Sequence, residues 1–123
     1  MPVVSPAAPI EPFPGTRFTQ LAAPSRGSRQ NSVWQVEIRS GTPAVPHQLT
    51  VEEIFVVLEG AATVTLGSDV IAAAAGDAIV VPADTDFALE NRGEQPLRLI
   101  CALPVGGQAR TADGAVFTPP WAQ

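Results

Sequence analysis

Residues 41–60, Gly41-Thr-Pro-Ala-Val-Pro-His47-Gln-Leu49-Thr-Val-Glu-Glu53-Ile-Phe-Val-Val-Leu-Glu-Gly60, decide the fold of this chain. Gly41 to His47 carries two prolines, so it reads as a turn leading into a strand. Val51 to Gly60 is rich in valine, isoleucine and phenylalanine, the composition of a strand. With Ala61 to Gly67 it reads as a hairpin, the bend falling at Glu59 and Gly60. Upstream, Ser32 to Ser40 alternates: Trp34, Val36 and Ile38 share one face, and Val33, Gln35, Glu37 and Arg39 the other. Downstream come Asp69 to Gly76, Ala78 to Pro82, Asp86 to Gly93 and Pro96 to Val105, each bounded by Gly, Pro, Asp or Asn. The count is about nine or ten strands with no crossover helix. Parallel strands would need such helices, so the chain is expected to be all-β, an antiparallel sandwich or barrel of the jelly-roll type.

The composition agrees and removes several chemistries. With 123 residues, 46% hydrophobic and 15% charged, the chain suits one domain with a buried core. It has no lysine, so a Schiff base and a phosphate-loop lysine are excluded. Its single histidine precludes a His-rich zinc site within one chain, and its single cysteine precludes an internal disulfide. The net charge of −5 opposes a phosphate-binding surface, so nucleic acid is not an expected partner. Five prolines among residues 1–15 break any helix there, and the uninterrupted apolar run of a secretory signal is missing. No stretch approaches the ~20 apolar residues of a membrane-spanning helix, so no membrane partner and a cytoplasmic location are expected.

The chain divides into three parts. Residues 1–30 form an extended arm, a first strand at Thr16–Leu21 and a polar loop, Pro24–Asn31, that holds Arg26 and Arg29 and is mobile or bound to a partner. Residues 31–105 form the barrel core. Residues 106–123 form an apolar tail, with Phe117 to Trp121 docked either on its own barrel or on a second subunit. The tail and the proline-rich arm at the other end point to a homodimer through the sheet edges.

Two spaced motifs give the core a family likeness. Gly41, His47, Leu49, Glu53 and Gly60 resemble the first cupin motif, with Leu49 at the place of its second histidine. Gly76, Pro82 and Asn91 resemble the second, with Asp84 at the place of a glycine and Phe87 at that of a histidine. The chain is therefore similar to the small single-domain, RmlC-like cupins. That resemblance implies a jelly-roll β-barrel with a ligand cavity in its mouth. It also implies a metal site of three histidines and a glutamate, of which this chain keeps only His47 and Glu53. Asp84 tolerates the left-handed backbone the motif gives to glycine.

Strand alternation places His47, Leu49, Val51 and Glu53 on one face, so His47 and Glu53 are expected to point into the cavity together. Two ligands are too few to hold a transition metal firmly, and Leu49 and Phe87 put hydrocarbon where an ion would sit. Gln48, Asp86 or water are the groups that could complete such a site. His47 and Glu53 read either as a hydrogen-bonded acid and base pair, with Glu53 raised in pKa and the charged form of His47 favoured, or as relics that satisfy each other. Trp34, Leu49, Phe55 and Phe87 read as the lining of an apolar ligand pocket or as plain core. Arg26 and Arg29 either clamp a carboxylate or lie in a solvated loop, and Cys101 is expected to be buried and inert.

Three functions follow for test. The first is binding of a small organic molecule in a largely apolar cavity that needs no metal, either as a binding module with His47 and Glu53 as its polar groups or as an enzyme with the two as catalytic acid and base. The second is a metal-dependent enzyme of dioxygenase or isomerase type, in which His47 and Glu53 hold a divalent transition metal. The third is a non-catalytic scaffold for another protein.

Overall fold

The computed structural model describes residues 3–123, and among these it is built almost wholly of short strands and turns. In chain order the strands are β1 (Ile10–Phe13), β2 (Thr16–Ala22), β3 (Asn31–Ile38), β4 (Gln48–Leu49), β5 (Glu53–Glu59), β6 (Ala61–Leu66), β7 (Asp69–Ala74), β8 (Ala78–Val81), β9 (Phe87–Glu90), β10 (Leu97–Pro104), β11 (Ala109–Arg110) and β12 (Val116–Phe117). Two single 3-10 turns, Pro24–Arg26 and Pro120–Ala122, are the helical elements described. A six-stranded sheet runs β1-β2-β3-β10-β5-β8, and β7-β6-β9 and β12-β11-β4 form two three-stranded sheets. Every described strand pair is antiparallel, the pattern of a jelly roll.

The alternation read in β3 is real. Trp34, Val36 and Ile38 are all buried, and across the sheet Trp34 and Phe55 flank Cys101 on neighbouring strands. Leu97, Leu99, Cys101 and Leu103 of β10 are sealed from solvent and form the centre of the core. The opposing sheet contributes Ala62, Val64 and Phe87, and the rings of Phe55 and Phe87 meet across the interior with centroids 5.8 Å apart. Burial of these alternating apolar faces drives the strands together.

The hairpin expected between residues 51–60 and 61–67 does not form. β5 bonds to β10 and β8, whereas β6 bonds to β7 and β9, so Glu59-Gly60 is a corner at which the chain leaves one sheet for the other. Gly60 is required there twice over. Its φ is 79°, and a Cβ would lie 2.5 Å from the carbonyl oxygen of Pro96. Asp84 does adopt the left-handed conformation, with φ 57°. Asn91 is buried, and its amide donates to the carbonyls of Ile38 (3.0 Å) and Gln95 (2.7 Å) while its oxygen accepts from the Gly93 N–H (3.0 Å). It holds the turn before β10 closed.

The described segments at both ends of the fold pack against β2. The expected extended arm contains β1, which pairs with β2, and Ala7 donates to Gln20 (3.0 Å). Trp121 stacks on Phe18 at 3.8 Å and 11°, Ala122 is buried, and the buried hydroxyl of Ser32 donates to the Ala122 carbonyl at 2.6 Å. Of the two placements open to the tail, it takes the one on its own chain, against β2 and β3 of the large sheet. The polar loop is likewise tied down: it forms a 3-10 turn, and Arg26 donates to the carbonyls of Leu21 (3.2 Å) and Ser5. Its guanidinium is thus committed to the backbone.

Candidate functional site

The site is built where the chain before β4 crosses the start of β9. His47 and Phe87 form an isolated antiparallel bridge, each donating its N–H to the other's carbonyl at 3.0 Å. The bridge brings the two rings to a centroid separation of 4.2 Å. His47 is half-buried, and its Nδ1 lies 3.0 Å from the Val45 carbonyl. A carbonyl only accepts, so Nδ1 carries the hydrogen and Nε2 is left as the basic nitrogen. Burial lowers the pKa of His47, the bond to Val45 opposing it, so the ring is neutral near pH 7. The expectation that a carboxylate would favour its charged form is thus reversed.

Glu53 opens β5 opposite Val81, in the inward-facing row that continues through Phe55 and Val57. It is 4% exposed. Burial alone raises its pKa to about 8, as the sequence suggested in direction. Among the described residues its carboxyl makes no hydrogen bond, and the four ion pairs join Arg39 to Glu11, Arg92 to Glu90, Arg98 to Glu59 and Arg110 to Asp84. His47 and Glu53 are therefore not bonded to each other, contrary to the expected pair. Only one continuous strand from 47 to 53 would set the two side chains on one face. The backbone instead bends at Thr50 and Val51, where Thr50 donates to Gln108 (2.9 Å) and receives the Gln108 N–H on its hydroxyl (2.9 Å).

The remaining candidates surround these two. Leu49, Phe55 and Phe87 are buried, as is Trp34, and all four belong to the continuous core. Gln48 and Asp86, possible recruits for an ion, are taken up by each other: the Gln48 amide donates to Asp86 at 2.7 Å. Arg110, which sequence reasoning missed, completes the cluster by donating to Gln48 and Asp84, both at 3.0 Å. Only the pairing of β11 with β4 brings it there. Cys101 is sealed, and burial, helped by the charge of Glu53, pushes its thiol far above its ordinary range, as an inert residue requires.

The metal that the motif positions imply does not fit. Among the described residues no three His, Cys, Asp or Glu side chains converge to hold an ion. The two positions that would complete the donor set are the buried hydrocarbons Leu49 and Phe87, the latter lying against the His47 ring. A transition ion there would face two potential ligands and a wall of carbon.

Such a sheet arrangement, with these residues on its inner wall, defines a small jelly-roll domain of the cupin type. The match is specific: the cupin domain profile aligns with residues 34–103, more than half of the chain, and the protein belongs to this family. An uncharacterized protein of Methanocaldococcus jannaschii is 31% identical over 90 residues, covering 71% of each chain. A cupin superfamily protein from Desulfitobacterium hafniense superposes with a TM-score of 0.64 at 18% identity, covering 78% of this chain and 84% of that one. Salicylate 1,2-dioxygenase from Pseudoaminobacter salicylatoxidans superposes at 0.67 with 22% identity, covering 76% of this chain and 26% of the dioxygenase. These similarities establish the fold, on which unrelated functions are built.

Proposed function

We propose that the protein binds a small organic molecule bearing a carbonyl or similar acceptor at the inner wall beside Glu53, without a transition metal, and that it does so as a homodimer. The observation that carries the binding site is Glu53 itself. It is 4% exposed and has no hydrogen-bond or ion-pair partner among the described residues, yet no buried side-chain polar atom in the described structure is both sealed and unsatisfied. Its carboxyl oxygens therefore keep a trace of contact with solvent. With its pKa raised to about 8, it is mostly protonated at neutral pH and presents an O–H on the apolar face it shares with Phe55, opposite Val81. A carboxylic acid kept neutral in an apolar setting donates a strong hydrogen bond to an oxygen placed beside it, and can exchange a proton with it. Val81 and Phe55 favour an aromatic or short aliphatic body attached to that oxygen.

The test is a thermal-shift screen of aromatic and aliphatic ketones, aldehydes and carboxylic acids at pH 7 on untagged protein, wild type and Glu53→Gln. A ligand confined to the folded state at a hundredfold excess over its Kd adds about 2.7 kcal/mol of apparent stability, which is readily seen. Compounds that raise the Tm of the wild type and shift Glu53→Gln by much less support the reading. A stoichiometric transition metal in the untagged protein, lost on His47→Ala, would overturn it, as would compounds that stabilise both proteins equally.

A further inference from the structure

We infer that β7 is the dimer edge, pairing antiparallel with β7 of a second copy about a two-fold axis at Ile71. This deepens the homodimer reading above and rests on it. β7 is unusual among the edges of this fold: five of its six residues are apolar, and all but Ala73 are exposed on one face or the other. Val70 is 61% exposed. Other edges are blunted in the ways natural sheets use, β1 by Glu11 and Pro12 and β8 by its four-residue length and the Pro82 that follows. β7 has neither proline nor lysine, and its one charge, Asp69, lies at its end.

The backbone shows which groups are open. β6 and β7 are joined by the two residues Gly67 and Ser68, so Leu66 and Asp69 bond to each other, and Ile71 and Ala73 follow in phase toward β6. Val70, Ala72 and Ala74 therefore turn their N–H and C=O groups away from β6. Ala74 confirms the phase, because its N–H donates to the Asp77 carboxylate (2.8 Å) and its carbonyl accepts the Asp77 N–H (3.0 Å) on that outer side. Asp77 caps one end, and Val70 and Ala72 remain open.

Two open residues spaced symmetrically about Ile71 form a self-complementary edge. A two-fold at Ile71 sets Val70 against Ala72 of the second copy and Ala72 against its Val70, closing four backbone hydrogen bonds. Ile71 then faces its own copy in the closer, non-bonded pair, where side chains make most contact. Asp69 falls opposite Ala73, so no like charges meet. The side chain of Ile71 explains why something must lie there. It is on the same face as buried Val64 and should be interior, yet it is 48% exposed, because the sheet stops at β7. Beyond it lies an apolar cleft of about 300 Å³ between β7 and β8, lined by Val64, Leu66, Ile79 and Val80, which a second Ile71 would cover.

The test is sedimentation equilibrium and light scattering on untagged wild type, Ala72→Pro and Val70→Lys. Proline at 72 removes an outward N–H without touching the bonds to β6, and lysine at 70 places a charge on the open edge; the second variant guards against misfolding of the first. The expected result is wild type at twice the 12.8 kDa chain mass and both folded variants at the chain mass, with near-ultraviolet circular dichroism unchanged. Wild type at the chain mass overturns the homodimer itself. A dimer that survives in the folded variants overturns only the assignment of β7.

Discussion

Replacing Glu53 by glutamine should make the protein more stable, and more so as the pH rises. Burial lifts the carboxyl from 4.5 to about 8, and each pH unit of difference between folded and unfolded states is worth about 1.4 kcal/mol. The folded chain holds this proton more tightly than the unfolded chain. The stability associated with the neutral form is thus complete below pH 4.5, declines across the interval to about 8, and is constant above it. The full loss has a ceiling of about 5 kcal/mol, of which about 3 kcal/mol has gone by pH 7. A glutamine of the same shape stays neutral and escapes it, so Glu53→Gln should exceed wild type by up to about 3 kcal/mol at pH 7, or about 10 °C in Tm for a domain of this size. His47 has the opposite dependence, because its lowered pKa costs stability in acid, but it acts equally in both proteins and cancels in the difference. Urea unfolding followed by tryptophan fluorescence from pH 5 to 9 measures that difference. Parallel curves for the two proteins would refute the reasoning, since they would mean that Glu53 titrates alike folded and unfolded.

Other substitutions test separate parts of the structure. Gly60→Ala should destabilise by about 2–4 kcal/mol in chemical denaturation, because the corner needs a positive φ and the Pro96 carbonyl leaves no room for a methyl. Trp121→Ala removes the ring stacked on Phe18 and should cost about 2 kcal/mol by the same assay while leaving ligand shifts intact, since Phe18 is on β2, three strands along the sheet from Glu53 on β5. Leu49→His combined with Phe87→His supplies the two missing imidazoles and should yield protein with stoichiometric bound zinc or nickel by elemental analysis. Failure of that variant to retain metal while folded would show that His47 does not lie in ligand geometry.

Much of the fold was readable because burial writes a period of two into each strand. Trp34, Val36 and Ile38 sit where alternation placed them, and Asp84 adopts the left-handed turn its motif position required. Which sheet a strand joins was not readable. A glycine after Glu59 serves a hairpin and a corner equally well, and the distinction lies in the approach of Pro96, far along the chain. The site shows the same division. Burial of Glu53 and its raised pKa followed from its place on an apolar face, and the loss of donors at Leu49 and Phe87 is plain in the motif. The separation of His47 from Glu53 was hidden, because counting alternate residues carries no warning of the bend that Gln108 imposes at Thr50. Arg110 was hidden for a similar reason: its partners Gln48 and Asp84 become neighbours only through the pairing of β11 with β4.

The most direct test of a neutral carboxylic acid as the centre of the site is a carbon-13 NMR titration of glutamate-labelled protein, with Glu53→Gln used to assign the resonance. The carboxyl carbon of Glu53 should titrate with a midpoint at about 8, and the midpoint should rise when a carbonyl compound identified by thermal shift is bound, because the ligand bonds to the protonated form. A midpoint near 4.5, unmoved by such a compound, would contradict the account.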